Sequence, residues 1–235
     1  SRAQGLEVES FVADGAPADA IVERANESGA DLIVIGTRGL SGFEHLLLGS
    51  TAEHVVRHAD CAVLTIHPRD IHPLIEPRAD ANIKPKVVIV PTLLNTDPTR
   101  AVDRAVQLLG GSEQPFRLLL VHADHLPMYL QPFLKDISID RIGFEEIEAQ
   151  LQERLAPIAK RLSSSGFEVE TIIEEGDIAG VITDSADFRS ADLIVMETHR
   201  RSGFAHLLMG SATERVVQHA CCPVLALHPD EPKAK

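Results

Sequence analysis

Short apolar runs rich in Val, Ile and Leu alternate along this chain with stretches whose apolar residues recur three or four positions apart. The first kind of pattern marks a buried strand and the second an amphipathic helix. From Val87, VVIVPTLL is a β-branched run closed by the turn signal Asn95-Thr96-Asp97-Pro98. Asp97 or Thr96 is placed to cap a helix carrying Ala101, Val102, Ala105, Val106 and Leu109, which Gly110-Gly111 ends. FRLLLVHA, from Phe116, reads as a second buried strand, and residues 128–134 read as irregular and Pro-flanked. Across residues 142–162, Phe144, Ile147, Leu151, Leu155, Ile158 and Leu162 define one helical stripe. A strand (FEVETIIEEG, from Phe167), a helix (DIAGVITDSADF), a strand (DLIVMET), a helix (SATERVVQHA) and a strand (PVLALHP) complete the series. The predicted order is βαβαβαβαβ with short connections. Continuous apolar strands alternating with helices imply a parallel sheet covered on both faces and joined by right-handed crossovers.

The same pattern occurs twice. Shifted by 161 residues, residues 5–68 lie over residues 166–229 without a gap, and about half the positions are identical. ADLIVIGTRGLSGFEHLLLGSTAEHVVRHADCAVLTIHP, from Ala30, matches ADLIVMETHRRSGFAHLLMGSATERVVQHACCPVLALHP, from Ala191. The second copy carries about eighty further residues upstream of Gly166, whereas the first has four residues before Gly5. Residues 70–86, DIHPLIEPRADANIKPK, have the Pro-rich, charged character of a linker. The expected organisation is therefore residues 1–70 as the C-terminal part of a first module, 71–85 as linker and 86–230 as a complete second module.

Composition narrows the function. The chain of 235 residues is 44% hydrophobic with a formal net charge of −13, so it is expected to bury an aliphatic core and carries no basic face for nucleic acid. Its longest apolar runs fall far short of a membrane span, and SRAQGLEVES lacks the apolar stretch of a signal peptide. Cys61, Cys221 and Cys222 have no CxxC spacing, which points away from a disulfide framework or structural zinc. These features lead to the expectation of a reducing, cytoplasmic setting, with neither nucleic acid nor membrane as partner.

One loop carries chemistry. The first copy reads Gly36-Thr37-Arg38-Gly39, nine residues, then Gly49-Ser50-Thr51 at the start of the helix STAEHVVRHA. Glycines let backbone N–H groups approach phosphate oxygens, and a helix start adds unpaired donors and a favourable dipole. The Ser50 and Thr51 hydroxyls and the Arg38 cation add to that set. This motif resembles the G-x2-G-x9-G-S/T signature of nucleotide-binding universal stress proteins, and the resemblance extends over nearly the whole chain as a tandem, two-module type. It implies an α/β fold of two doubly wound parallel-sheet modules, adenine nucleotide alpha hydrolase-like, each in strand order 3-2-1-4-5, with the first module incomplete. It also implies ATP or AMP, with Mg beside it, bound by Gly36, Thr37, Arg38, Gly39, Gly49, Ser50 and Thr51. Modules of this family associate through their fifth strands, here VLTIH and VLALH, which implies a pseudo-dimer within the chain or a homodimer. The function so implied is a nucleotide-binding regulator of the stress response. The alternative is a nucleotide-free scaffold working through protein contacts or another small ligand.

Against a ligand, Gly49-Ser50 also reads as a plain helix start with Ser50 as N-cap. The second copy keeps Gly210-Ser211 but has Glu197 and Arg200 where the first has Gly36 and Gly39. The aspartate that the family carries after strand one, facing ribose, falls at Leu93 here. Nucleotide is accordingly expected in the first module rather than the second. In the first copy VESFVA, DLIVIG and AVLTIH would be strands three, four and five, leaving DLIVIG with an unpaired edge. That gap calls for about eighty more residues upstream, cleaved, disordered or replaced by a swapped partner. His45 and His206, His58 and His219, and His67 and His228 fall at matching repeat positions, which favours inherited packing or capping over metal. His122, Asp124 and His125 follow strand two and read as loop. Cys221-Cys222 reads as small apolar packing, and Glu145-Glu146 and Glu174-Glu175 as solvated surface. No Ser-His-Asp order, paired carboxylates or HExxH calls for catalysis, and any ATP hydrolysis would be slow and incidental.

Overall fold

The computed structural model describes residues 7–37, 49–67, 85–92, 98–108, 116–124, 139–198 and 210–228. In chain order the elements are α1 (Pro17–Ser28), β1 (Leu32–Gly36), α2 (Ser50–His58), β2 (Ala62–Ile66), β3 (Val87–Pro91) and α3 (Thr99–Leu108). They continue with β4 (Arg117–Asp124), α4 (Ile139–Ser164), β5 (Glu168–Glu175), α5 (Ile178–Phe188), β6 (Leu193–Glu197), α6 (Ser211–His219) and β7 (Val224–Leu227).

Helix ends follow from local chemistry. Pro17 opens α1, where its missing N–H costs nothing. Gly29 closes it in the left-handed region (φ 63°), with Gly29 N–H donating to Asn26 O and Ala30 N–H to Ala25 O. The same six-residue closure ends α5, but there the left-handed residue is Ser190, at φ 50°. Pro157 lies inside α4, whose stripe of Leu151, Leu155 and Leu162 is buried.

All seven strands form one sheet in the order β1-β2-β7-β6-β3-β4-β5. Read from β5, the strands of the second repeat run 3-2-1-4-5, all parallel. The architecture is α/β with a mostly parallel sheet, continuous through both repeats. The joint is β2 against β7, which pair antiparallel. Leu64 there sits opposite Leu225, its own counterpart under the 161-residue shift, so a local twofold axis passes through that pair. Thr65 Oγ1 donates to Val224 O at 3.2 Å, closing a buried hydroxyl in the joint.

Side chains alternate across the sheet. One face carries Ile33, Val63, Ile89, Leu119, Ile194 and Val224 into a core with α1, α2, α5 and α6. The other carries Val88, Leu118, Leu120, Val195 and Leu225 against α3 and α4.

Two expectations need correction. VESFVA forms no strand: residues 7–14 adopt no regular secondary structure and join no ladder, and Val8, Phe11 and Val12 are exposed. A strand exists only where a neighbour completes its hydrogen bonds, and among the described residues none reaches it. His122 is not a loop residue. It lies within β4, buried, with Nδ1–H donating to Thr92 O at 2.8 Å. The expected cap at Thr96 or Asp97, Leu93, His125 and the irregular residues 128–134 lie outside the described residues.

Candidate phosphate-binding loop

The loop after β1 is pinned at both ends. Thr37 N–H donates to Ile66 O on β2 at 3.0 Å, continuing the ladder one step past Gly36. Thr37 O accepts from Gly49 N–H at 2.8 Å, which brings the exit of the loop back to its entrance. Gly36 and Thr37 are thereby held beside Gly49, Ser50 and Thr51, with Arg38 and Gly39 outside the described residues. Five of the seven expected site residues thus converge on one end of the sheet.

The helix start has the geometry that anions use. Gly49, extended at φ −62° and ψ 136°, is the N-cap, and among the described residues no side chain caps α2. Ser50 therefore occupies the first helical position and is not the N-cap. A glycine N-cap offers no side-chain oxygen, so among the described residues the first amides of the helix have no side-chain acceptor. Glu53 N–H closes the turn on Gly49 O at 3.0 Å, and the Glu53 carboxylate is engaged by Arg57 at 2.6 Å. His54 Nε2 reaches Asp19 on α1 at 2.9 Å, tying the two helices behind the loop.

A feature that periodicity did not reveal fixes the strand ends. Thr37 Oγ1 and His67 Nδ1 stand 2.9 Å apart, both residues buried. Thr198 Oγ1 and His228 Nδ1 stand 2.8 Å apart in the second repeat. Thr92 and His122 form a variant between β3 and β4, the histidine bonding the threonine carbonyl. In each case the threonine N–H also donates across to the residue before the histidine. A Thr followed thirty residues later by His was the signal in the sequence. The remaining matched histidines cap helices: His58 Nδ1–H donates to His54 O and His219 Nδ1–H to Arg215 O, both at 2.8 Å. His45 and His206 lie outside the described residues. Among the described residues no three His, Cys, Asp or Glu side chains group as metal ligands, and no helix is long and apolar enough to cross a membrane.

The second repeat is built differently at the same place. Gly210 is again the N-cap of α6, but β6 ends on Glu197 where β1 ends on Gly36. Glu197 lines a cavity of about 240 Å³ with Arg100 and Arg104 of α3, His228, and Asp60 and Cys61 just ahead of β2. Burial, with Asp60 and Asp31 adding to it, pushes the Cys61 thiol above its ordinary range. Cys222 is buried and Cys221 half-buried beside β7.

Comparison with known proteins supplies the identity. The model of the universal stress protein family matches residues 1–67 and 85–228. A universal stress protein of Mycobacterium tuberculosis (strain ATCC 25618 / H37Rv) is 28% identical over 223 residues, covering 94% of this chain and 68% of that protein. One from Methanocaldococcus jannaschii is 47% identical over 62 residues, 26% of this chain and 36% of its own length. The crystal structure of a universal stress protein from Archaeoglobus fulgidus superposes with a TM-score of 0.60 at 20% identity, covering 94% of this chain and 70% of that one. Sheet order and family match agree: the chain belongs to the universal stress protein family.

Proposed function

We propose that this chain is a regulatory protein of the stress response that binds adenine nucleotide, ATP or AMP, through the loop of its first repeat. The observation that carries the reading is the Gly49-to-Thr37 bond, which sets a glycine-started helix directly against the end of β1. Backbone amides of the first turn of α2, the Ser50 and Thr51 hydroxyls and the glycines at 36, 39 and 49 supply donors for phosphate. Arg38 supplies the mobile cation, and Mg accompanies a bound triphosphate. The protein works in the cytoplasm as a binder. Thr37 and His67, the one hydroxyl–imidazole pair at the loop among the described residues, are buried and repeated at Thr198 and His228, where β6 ends in a carboxylate. That repetition marks a structural clip rather than a nucleophile and its base.

Isothermal titration calorimetry with ATP and with AMP tests this reading. Saturable binding lost in Gly39→Asp and in Gly49→Asp is expected, since each places a carboxylate among the phosphate donors. Binding indifferent to both changes, or none at all, would remove the phosphate-loop assignment.

A second reading is favoured for the second repeat alone. Its mouth presents Glu197, and its cavity of about 240 Å³ is below the roughly 300–1,000 Å³ of sites that enclose drug-sized ligands. That repeat serves as a nucleotide-free scaffold, joined to the first through the fifth strands. Nucleotide binding unchanged by Gly210→Asp is the expected result.

A further inference from the structure

The threonine–histidine pairs occupy one kind of place, spanning adjacent parallel strands toward their carboxyl ends: β1 and β2, β3 and β4, β6 and β7. They do not end on the same acceptor. Each threonine hydroxyl lies near the carbonyl of the residue before its histidine, at 3.5 Å for Thr37, 3.3 Å for Thr92 and 3.1 Å for Thr198. A hydroxyl has one proton to give. With that proton on the carbonyl, the oxygens of Thr37 and Thr198 accept from the imidazole, so Nδ1 of His67 and of His228 carries hydrogen. His122 confirms the tautomer, because the Thr92 carbonyl facing its Nδ1 can only accept.

The choice of acceptor decides what the threonine carbonyl does next. His122 bonds the Thr92 carbonyl itself, at 2.8 Å. His67 bonds the Thr37 hydroxyl at 2.9 Å, and the Thr37 carbonyl accepts from Gly49 N–H at 2.8 Å. Thr37 is thus held at its amide by Ile66 O, at its hydroxyl by His67 and at its carbonyl by the returning loop. A β-branched side chain has few χ1 states, and each goes with a limited range of backbone angles. Fixing the amide and the hydroxyl therefore narrows where the carbonyl can point. Thr37 is 2% exposed and His67 6%, so water does not stand in for a lost partner.

We propose that His67 is a positioning residue for the phosphate site of the first repeat. Through the Thr37 hydroxyl it aims the Thr37 carbonyl at Gly49, and so sets where the first turn of α2 presents its donors. The assignment rests on the nucleotide reading given above, and His67 itself touches no ligand. Binding sites need such support, since donors displaced by more than about 0.5 Å lose their geometry. The second repeat holds the matched comparison: Thr198 and His228 form the same clip beside Glu197, where it closes strand ends and serves no phosphate.

The experiment measures ATP binding to the 235-residue chain by calorimetry and, without nucleotide, exchange of the Gly49 amide by NMR. Thr37→Val and His67→Leu each remove one partner and keep the side-chain branching. Each should weaken ATP by roughly tenfold, the worth of one buried hydrogen bond. Each should also speed Gly49 exchange by roughly tenfold, as the loop closure loosens. Asparagine shares that branching and can set an N–H where Nδ1 stands, so His67→Asn should restore both readings to near those of the unaltered chain. Thr198→Val and His228→Leu should lower the melting temperature about as much as their counterparts and leave ATP binding and Gly49 exchange in place. Unaltered binding in Thr37→Val and His67→Leu would overturn this assignment alone. So would a His67→Asn chain as weak as His67→Leu, or second-repeat variants that weaken ATP equally. A chain that binds no ATP before any substitution would remove the nucleotide reading and this assignment with it.

Discussion

At the scale of single residues, divergence of the two repeats has left testable differences at equivalent positions. Gly29 and Ser190 are counterparts, and both sit in the left-handed region at the close of a helix, at φ 63° and 50°. Glycine tolerates that region, whereas a residue with a Cβ meets the following carbonyl at a cost of about 1–2 kcal/mol. Ser190→Gly is therefore expected to stabilise the protein by about 0.5–1 kcal/mol, part of the relief being offset by the greater freedom of glycine in the unfolded chain. Urea unfolding followed by circular dichroism measures it, and a loss of stability would show that Ser190 earns its place by contacts instead. Cys61 offers a second residue-scale prediction. Burial raises its pKa, so at neutral pH it holds less thiolate than an ordinary cysteine. Its alkylation by iodoacetamide should be slower than that of free cysteine and should still be accelerating above the ordinary thiol range. Mass spectrometry of the Cys61 peptide across pH reads both, and rapid labelling at pH 7 would contradict the assignment.

At the scale of elements, the repeats solve one problem with different chemistry. Asp177 caps α5 by accepting from Gly180 N–H at 3.0 Å, and the same carboxylate meets Arg215 of α6 at 2.6 Å. In the first repeat the N-cap of α1 is Ala16, with no side-chain bond, and the helix pair is tied instead by Asp19 and His54, the counterpart of Arg215. Asp177→Ala removes the cap and the tie together and should cost about 1–2 kcal/mol, whereas Arg215→Ala, which breaks an exposed ion pair alone, should cost less than about 1 kcal/mol. Equal losses in urea titrations would show that the pairing, not the cap, dominates. These elements were legible because their signals are local. The apolar runs gave β4, β6 and β7 to within a residue or two and β3 to within three, and the stripe from Phe144 to Leu162 gave α4 despite Pro157. What escaped was relational. The match of residues 8–13 to a strand of the second repeat cannot specify a neighbour, and without one the strand does not form. The Thr37–His67 clip joins residues thirty apart on different strands, a spacing that no helix or strand period exposes. At the loop, the motif located the helix start correctly but could not distinguish Ser50 from Gly49 as its N-cap, because that choice rests on the backbone angles of Gly49.

At the scale of the whole molecule, the consequence of the joint is that the first repeat owns no separate core, while the second has one on the α3–α4 face and shares the other. One buried cluster runs from Ala25, Ile33, Val55, Val56 and Val63 straight into Val216, Val217, Val224 and Ala226. Arg57 of α2 reaches Glu214 of α6 at 3.8 Å over the same seam, and β2 and β7 share a ladder beneath it. Separating residues 7–67 from the rest would expose these valines on both sides at once. At about 25 cal/mol per Å² of apolar surface, that is a cost the first repeat has no independent core to offset. Thermal unfolding is therefore expected to be one cooperative transition, with calorimetric and van't Hoff enthalpies in agreement. Val56→Ala, a change confined to α2, should lower the single midpoint through a cavity and lost burial of about 1–3 kcal/mol, and hydrogen exchange should report the loss in β6 and β7 as well as in β1 and β2. Two resolved transitions, or a Val56→Ala effect restricted to residues 7–67, would show that the second repeat stands alone and that the shared seam is a contact between finished domains.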